Sequence, residues 1–223
     1  PEMKSIPEEL VDKDHTYVGT KAIATGIMYN TNLVQEAPKS FMDLTKPVYK
    51  DMGIMPSPLY SGAAAYNLSL MTRTSGLGWD FYKGLKENGM KVDKGNGGIL
   101  KAVGEGQKGV GIVVDFMVFR AQKKGAPVQF VYPAEGSPIV TEPIGIVKGA
   151  KNEKMAKLFE DFVLSEEGQT FTAEMGYIPV RKGVKAPEGM KSIDELKIMS
   201  GNLADLVSNR EADKKEFTSL FQK

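Results

Sequence analysis

A nearly continuous apolar run, Gly109-Val110-Gly111-Ile112-Val113-Val114, shows none of the alternation of a half-exposed strand. It predicts a strand buried on both faces, ending at Asp115. Residues 116–124 read as the following helix, Gly125-Ala126-Pro127 as its stop and residues 128–132 as another strand. Upstream, residues 18–30 mix β-branched and small side chains between turn signals and predict one or two strands, with Gly26 marking a bend or a close approach. Helical spacing returns with Ala64, Leu68 and Met71, and again with Trp79, Tyr82 and Leu85, where Gly89 occupies the expected left-handed cap. An aromatic at this spacing favours packing over ligand stacking for Trp79. Strands alternating with helices in this way predict an α/β chain with a parallel sheet and right-handed crossovers.

Beyond residue 139 the pattern changes. Ile139-Val140-Thr141-Glu142-Pro143-Ile144 is extended, and Pro143 denies a ladder hydrogen bond, which suggests a passage between sheets or domains. Met155, Leu158, Phe159, Phe162 and Val163 then share one helical face behind Asn152 as a cap. Ser165 opens the next helix, and Leu203, Leu206, Val207, Phe217, Leu220 and Phe221 mark apolar faces at the end.

Composition changes this picture mainly by exclusion. At 223 residues, 41% hydrophobic and 26% charged, the chain has the material for a real core, and a formal net charge of +1 without a polybasic stripe argues against nucleic acid. With no cysteine there are no disulfides, thiolate metal sites or cysteine nucleophiles. The single histidine, His15, lies in the polar run Asp12-Lys13-Asp14, which reads as an exposed loop. No P-loop, paired carboxylates or metal-ligand cluster occurs, so neither an enzyme, nor a cofactor, nor an intrinsic metal is expected. No stretch approaches the roughly 20 apolar residues of a membrane span. The opening residues, from Pro1, read like the middle of a longer chain.

The candidate chemistry is a pair of helix starts. Met55-Pro56-Ser57-Pro58-Leu59-Tyr60 is extended, Ser61 is a good N-cap, and Gly62 leaves the first N–H groups of an alanine-rich helix unscreened. Ser61, Gly62 and Ala63 thus form a seat for a carboxylate, phosphate or phosphonate, or else an ordinary capped helix. Lys94-Gly95-Asn96-Gly97-Gly98 has the same logic, with Asn96 and Gly97 as further donors. Asp115 supplies an acceptor, or simply caps the helix that follows it. Glu142 is a hinge residue or a ligand contact.

Taken in order, Ile27-Met28-Tyr29-Asn30-Thr31-Asn32, residues 55–66, Leu164-Ser165-Glu166-Glu167-Gly168-Gln169 and Gly176-Tyr177-Ile178-Pro179-Val180-Arg181 resemble the extracytoplasmic solute-binding proteins of ABC importers. The resemblance is to the type 2 group that includes ferric, thiamine, phosphonate and sugar-phosphate binders. It implies an α/β fold of two lobes joined by crossing strands, with the solute held between them. Laid on this chain, residues 1–29 would hold the end of lobe one and the first crossing, 30–139 lobe two, and 140–223 the second crossing and the C-terminal helices of lobe one. The early strands of lobe one would precede Pro1. It further implies an extracytoplasmic location, a permease partner, and membrane contact only through that permease or a lipid anchor. Where ferric binders of the group carry adjacent tyrosines this chain has Asp115-Phe116-Met117, so the favoured solute is an anion or zwitterion such as a phosphonate or sugar phosphate. Its ligands would be Ser61, Gly62, Ala63, Asn96, Gly97, Asp115 and Glu142. Ferric ion, a thiamine-type solute, a sensory module without transport and a phosphate-handling enzyme are the alternatives.

Overall fold

The computed structural model describes residues 1–221. Two compact units emerge, one made of Pro1–Ile23 with Ile139–Leu196, the other of Ala24–Pro138 with Lys197–Lys223.

The second unit is built on a sheet whose central strands are buried on both faces. Strand β1 (Val18–Asn30) is a single strand of 13 residues, the last seven of them in this unit. The others are β2 (Gly53–Pro56), β3 (Lys91–Asp93), β4 (Val110–Val114) and β5 (Val128–Val131). β2 runs parallel to both β3 and β4, whereas β1 is antiparallel to β4 and β5. Side-chain alternation then divides the core in two. Ile27, Met55 and Ile112 face one cluster; Met28, Ile54 and Val113 face the other. Helices α1 (Gly62–Met71) and α2 (Gly78–Glu87) fill the first side with Leu68, Met71, Phe81 and Leu85, while α3 (Asn96–Gly104) and α4 (Asp115–Lys123) fill the second with Ile99, Val103 and Val118. Because β2 and β4 meet apolar helices above and below, their sequences show a run and not an alternation, whereas β3 at the edge is exposed.

Gly26 marks a close approach, as its sequence context suggested: a Cβ there would overlap the Phe130 ring and the Val131 carbonyl. Gly89 takes φ +75° at the end of α2, the left-handed cap. The final helix, α7 (Leu203–Phe221), buries Leu206 and Phe217 but leaves Leu203 and Val207 exposed. It packs against α1 and α2 in this unit. Asp213, nearly buried, accepts from Ser69 Oγ at 2.6 Å and from Arg73 Nη1 at 2.8 Å.

In the first unit the start of β1 pairs with β6 (Ser137–Ile144), and Ala22 bridges Ile178. Helices α5 (Glu153–Leu164) and α6 (Glu166–Glu174) follow. Asn152 sits at the N-cap of α5 without a side-chain cap bond, whereas Ser165 Oγ accepts from Gly168 N at 3.1 Å and caps α6. Two of the sequence landmarks are architectural here. Gln169 is fully buried, donating to Thr20 O and Val163 O and accepting from Val180 N, and Arg181 bonds both the Glu2 carboxylate and Leu164 O. Met155, Leu158, Phe159 and Phe162 on α5 are exposed.

Candidate functional site

Strands β3, β2 and β4 lie side by side in that order and run the same way, so their carboxyl ends open on one edge of the sheet. α1, α3 and α4 begin at that edge, each just after its strand, which brings three helix N-termini together at the position where α/β sheets bind ligands. The two loops are tied to each other by Ser57 N donating to Asp93 O at 2.7 Å.

At α1, Ser61 is extended and its Oγ accepts from Ala64 N at 3.3 Å. The hydroxyl proton remains available, and the N–H groups of Gly62 and Ala63, in the first turn, have no intrahelical acceptor. Nothing lies within 4 Å of where a side chain would start at Gly62, so no neighbouring group crowds the turn on that side. The seat therefore gathers main-chain dipoles and one hydroxyl.

At α3, Gly95 is the N-cap with no side-chain bond, and Gly95 and Gly97 also face open space. The same turn already has an anion beside it, however. The Asp93 carboxylate accepts from Lys94 N at 2.6 Å and touches Gly98, so closely that a Cβ there would overlap it. Asn96 and Gly97 share their helix end with this carboxylate, a neighbour that spacing alone gave no sign of.

At α4, Asp115 is fully buried at the first helical position, so the extended cap residue is Val114. Asp115 Oδ1 accepts from Phe116 N at 2.7 Å, and Ala24 N–H also points at the carboxyl, but Oδ2 has no partner. Burial pushes its carboxyl up to about 7, against the pull of those amides, and no cation offsets it. Near neutrality the group is poised between an acid that donates and a carboxylate that only accepts.

Six of the seven sequence-derived ligands thus lie in the second unit, at the starts of α1, α3 and α4. Glu142 lies in the first, paired with Lys21, whose ammonium sits 4.9 Å from the Tyr177 ring centroid. Thr20 Oγ1 donates to the Glu142 carbonyl at 2.8 Å, so this residue is held by its ladder neighbours. Among the described residues no group of three or more His, Cys, Asp or Glu side chains is placed to hold a metal ion.

A parallel-edge site on a mixed α/β sheet defines the class: the fold is that of the type 2 periplasmic solute-binding proteins. It matches iron-bound HitA from Pseudomonas aeruginosa with a TM-score of 0.82 at 23% identity, over 97% of this chain and 74% of that one. It matches AfuA from Actinobacillus pleuropneumoniae, solved with fructose-6-phosphate bound, with a TM-score of 0.80 at 22% identity, over 100% and 75%. In sequence, Iron uptake protein A1 of Synechocystis is 27% identical over 214 residues, covering 86% of this chain and 58% of the relative. The chain belongs to the bacterial extracellular solute-binding protein family, whose profile matches residues 1–208. It spans about half the length of the curated relatives it matches, 42% and 58% in two cases.

Proposed function

We propose that this protein captures a small anionic or zwitterionic solute, of the phosphonate or sugar-phosphate kind, and hands it to an ABC permease outside the cytoplasm. The observation that carries this reading is the open α1 start: unpaired N–H donors and the Ser61 hydroxyl, with nothing in front of Gly62. Asp115, whose Oδ2 has no partner, supplies the acceptor for an amine or hydroxyl on the body of the same solute. AfuA, of like fold, was solved with a sugar phosphate. Iron uptake protein A1 is the observation that favours ferric ion as the second reading. Against it, Phe116 and Met117 follow Asp115, and neither offers a phenolate.

The deciding experiment is calorimetry on the full-length protein across 2-aminoethylphosphonate, fructose 6-phosphate, inorganic phosphate, ferric citrate and thiamine. A phosphonate or phosphate ester should bind, and Ser61→Phe should abolish its binding. Tight binding of ferric ion or a purely cationic solute, unaffected by Ser61→Phe, would overturn the anion seat.

A further inference from the structure

The carboxylate beside the start of α3 has no counter-ion. Asp93 ends β3 and is exposed. Its Oδ1 accepts from Lys94 N at 2.6 Å, while Oδ2 has no hydrogen-bond or ion-pair partner among the described residues. Lys91 and Lys94 flank it in sequence, yet neither ammonium pairs with it. The first turn of α3 thus faces a fixed negative charge, lodged against Gly98, and a second anion brought there would meet that charge at close range.

Asp93 is also fastened to the α1 seat. In the parallel ladder it stands opposite Pro56, and neighbouring strands lie about 4.8 Å apart. One residue on, Ser57 N donates to Asp93 O at 2.7 Å, and Ser57 O accepts from Ser61 N at 3.0 Å. Two hydrogen bonds through a single residue therefore join the main chain of Asp93 to the N-cap of α1. The free carboxylate oxygen and the Gly62 and Ala63 donors belong to one edge of the sheet, within the span of a small solute.

Resting on the anion-seat reading above, we propose that Asp93 binds the ammonium of a zwitterionic solute whose anionic head sits at Ser61, Gly62 and Ala63, so that the site selects short aminoalkyl phosphonates and phosphates over anions without an amine. A bare anion at α1 meets Asp93 as a like charge, whereas a zwitterion meets it as an opposite one. The same residue thus lowers one affinity and raises the other. Of the two carboxyl groups at this edge, Asp115 is fully buried, and an ammonium brought to it would give up its water. At exposed Asp93 an ammonium can donate once to Oδ2 and keep solvent on its remaining N–H groups.

The test compares 2-aminoethylphosphonate with ethylphosphonate, which differ only in the amine, by calorimetry on the full-length protein and its Asp93→Asn and Asp115→Asn variants. Asparagine at 93 keeps an oxygen for Lys94 N and removes the charge. The unaltered protein should bind 2-aminoethylphosphonate about fivefold more tightly than ethylphosphonate, and Asp93→Asn should bring the two within about twofold. The comparison on the unaltered protein does not depend on how either variant folds. No preference there, a preference that survives Asp93→Asn, or an equal loss of both probes in that variant would overturn the inference. A preference that survives Asp93→Asn and disappears in Asp115→Asn would give the amine to Asp115 instead. If the unaltered protein binds fructose 6-phosphate but neither phosphonate, the Asp93 inference fails and the seat stands; if it binds none of the three, the seat reading fails and this one with it.

Discussion

Asp115 shows how a single residue can be legible in kind and illegible in state. Its place at the end of an apolar run announced a carboxylate at a strand terminus, but only the packing of β1 and α4 around it fixes complete burial, and burial sets the charge. The native carboxyl is raised to about 7 from an ordinary value of 3.8. The folded protein therefore holds its proton up to near neutrality while the unfolded chain releases it near pH 4. Its contribution to stability is greatest below about pH 4, falls as pH rises to about 7, and is level above that. Asp115→Asn should remove this slope and raise stability at pH 8 by on the order of 4 kcal/mol, read from denaturant midpoints at pH 5 and pH 8. In binding, Asp115→Ala should cost roughly 1.5 to 3 kcal/mol if its oxygen takes a charge-assisted bond from the solute, measured by calorimetry.

At the scale of elements, most of the strands and helices followed from period and punctuation, because glycines and prolines stand where the chain turns. Partners did not. The apolar positions of residues 203–221 say that this helix buries a face but not against what, and the answer lies with Ser69 and Arg73, over a hundred residues away. Arg73 is a third exposed while Asp213 is nearly buried, so the pair is anchored from the acid side. Asp213→Ala should leave the guanidinium and the serine hydroxyl facing a void and lower stability by roughly 2 to 4 kcal/mol, measured by urea unfolding. Gly26→Ala is a second element-scale prediction. The Phe130 ring can shift, but the Val131 carbonyl is part of the ladder, so β1 and β5 must separate locally and the melting temperature should fall by several degrees.

At the scale of the whole chain, the two units differ in how completely they cover their apolar surface. In the first, Met155, Leu158, Phe159 and Phe162 on α5 and Phe171 on α6 stand exposed, a larger patch than scattered surface residues usually make. The 223-residue polypeptide should bind an environment-sensitive hydrophobic dye in its native state. Phe159→Ser with Phe162→Ser should cut that signal by more than half with little change in melting temperature. In the second unit the helix that covers α1 lies far along the sequence from it. α1, which carries the seat, is followed by some 130 residues before its partner α7 is made. A ribosome building this chain delivers the donors of the seat well before the strut behind them. The helix that would hold the solute therefore waits on α7, and a chain stalled or clipped before residue 203 would present a seat with no backing.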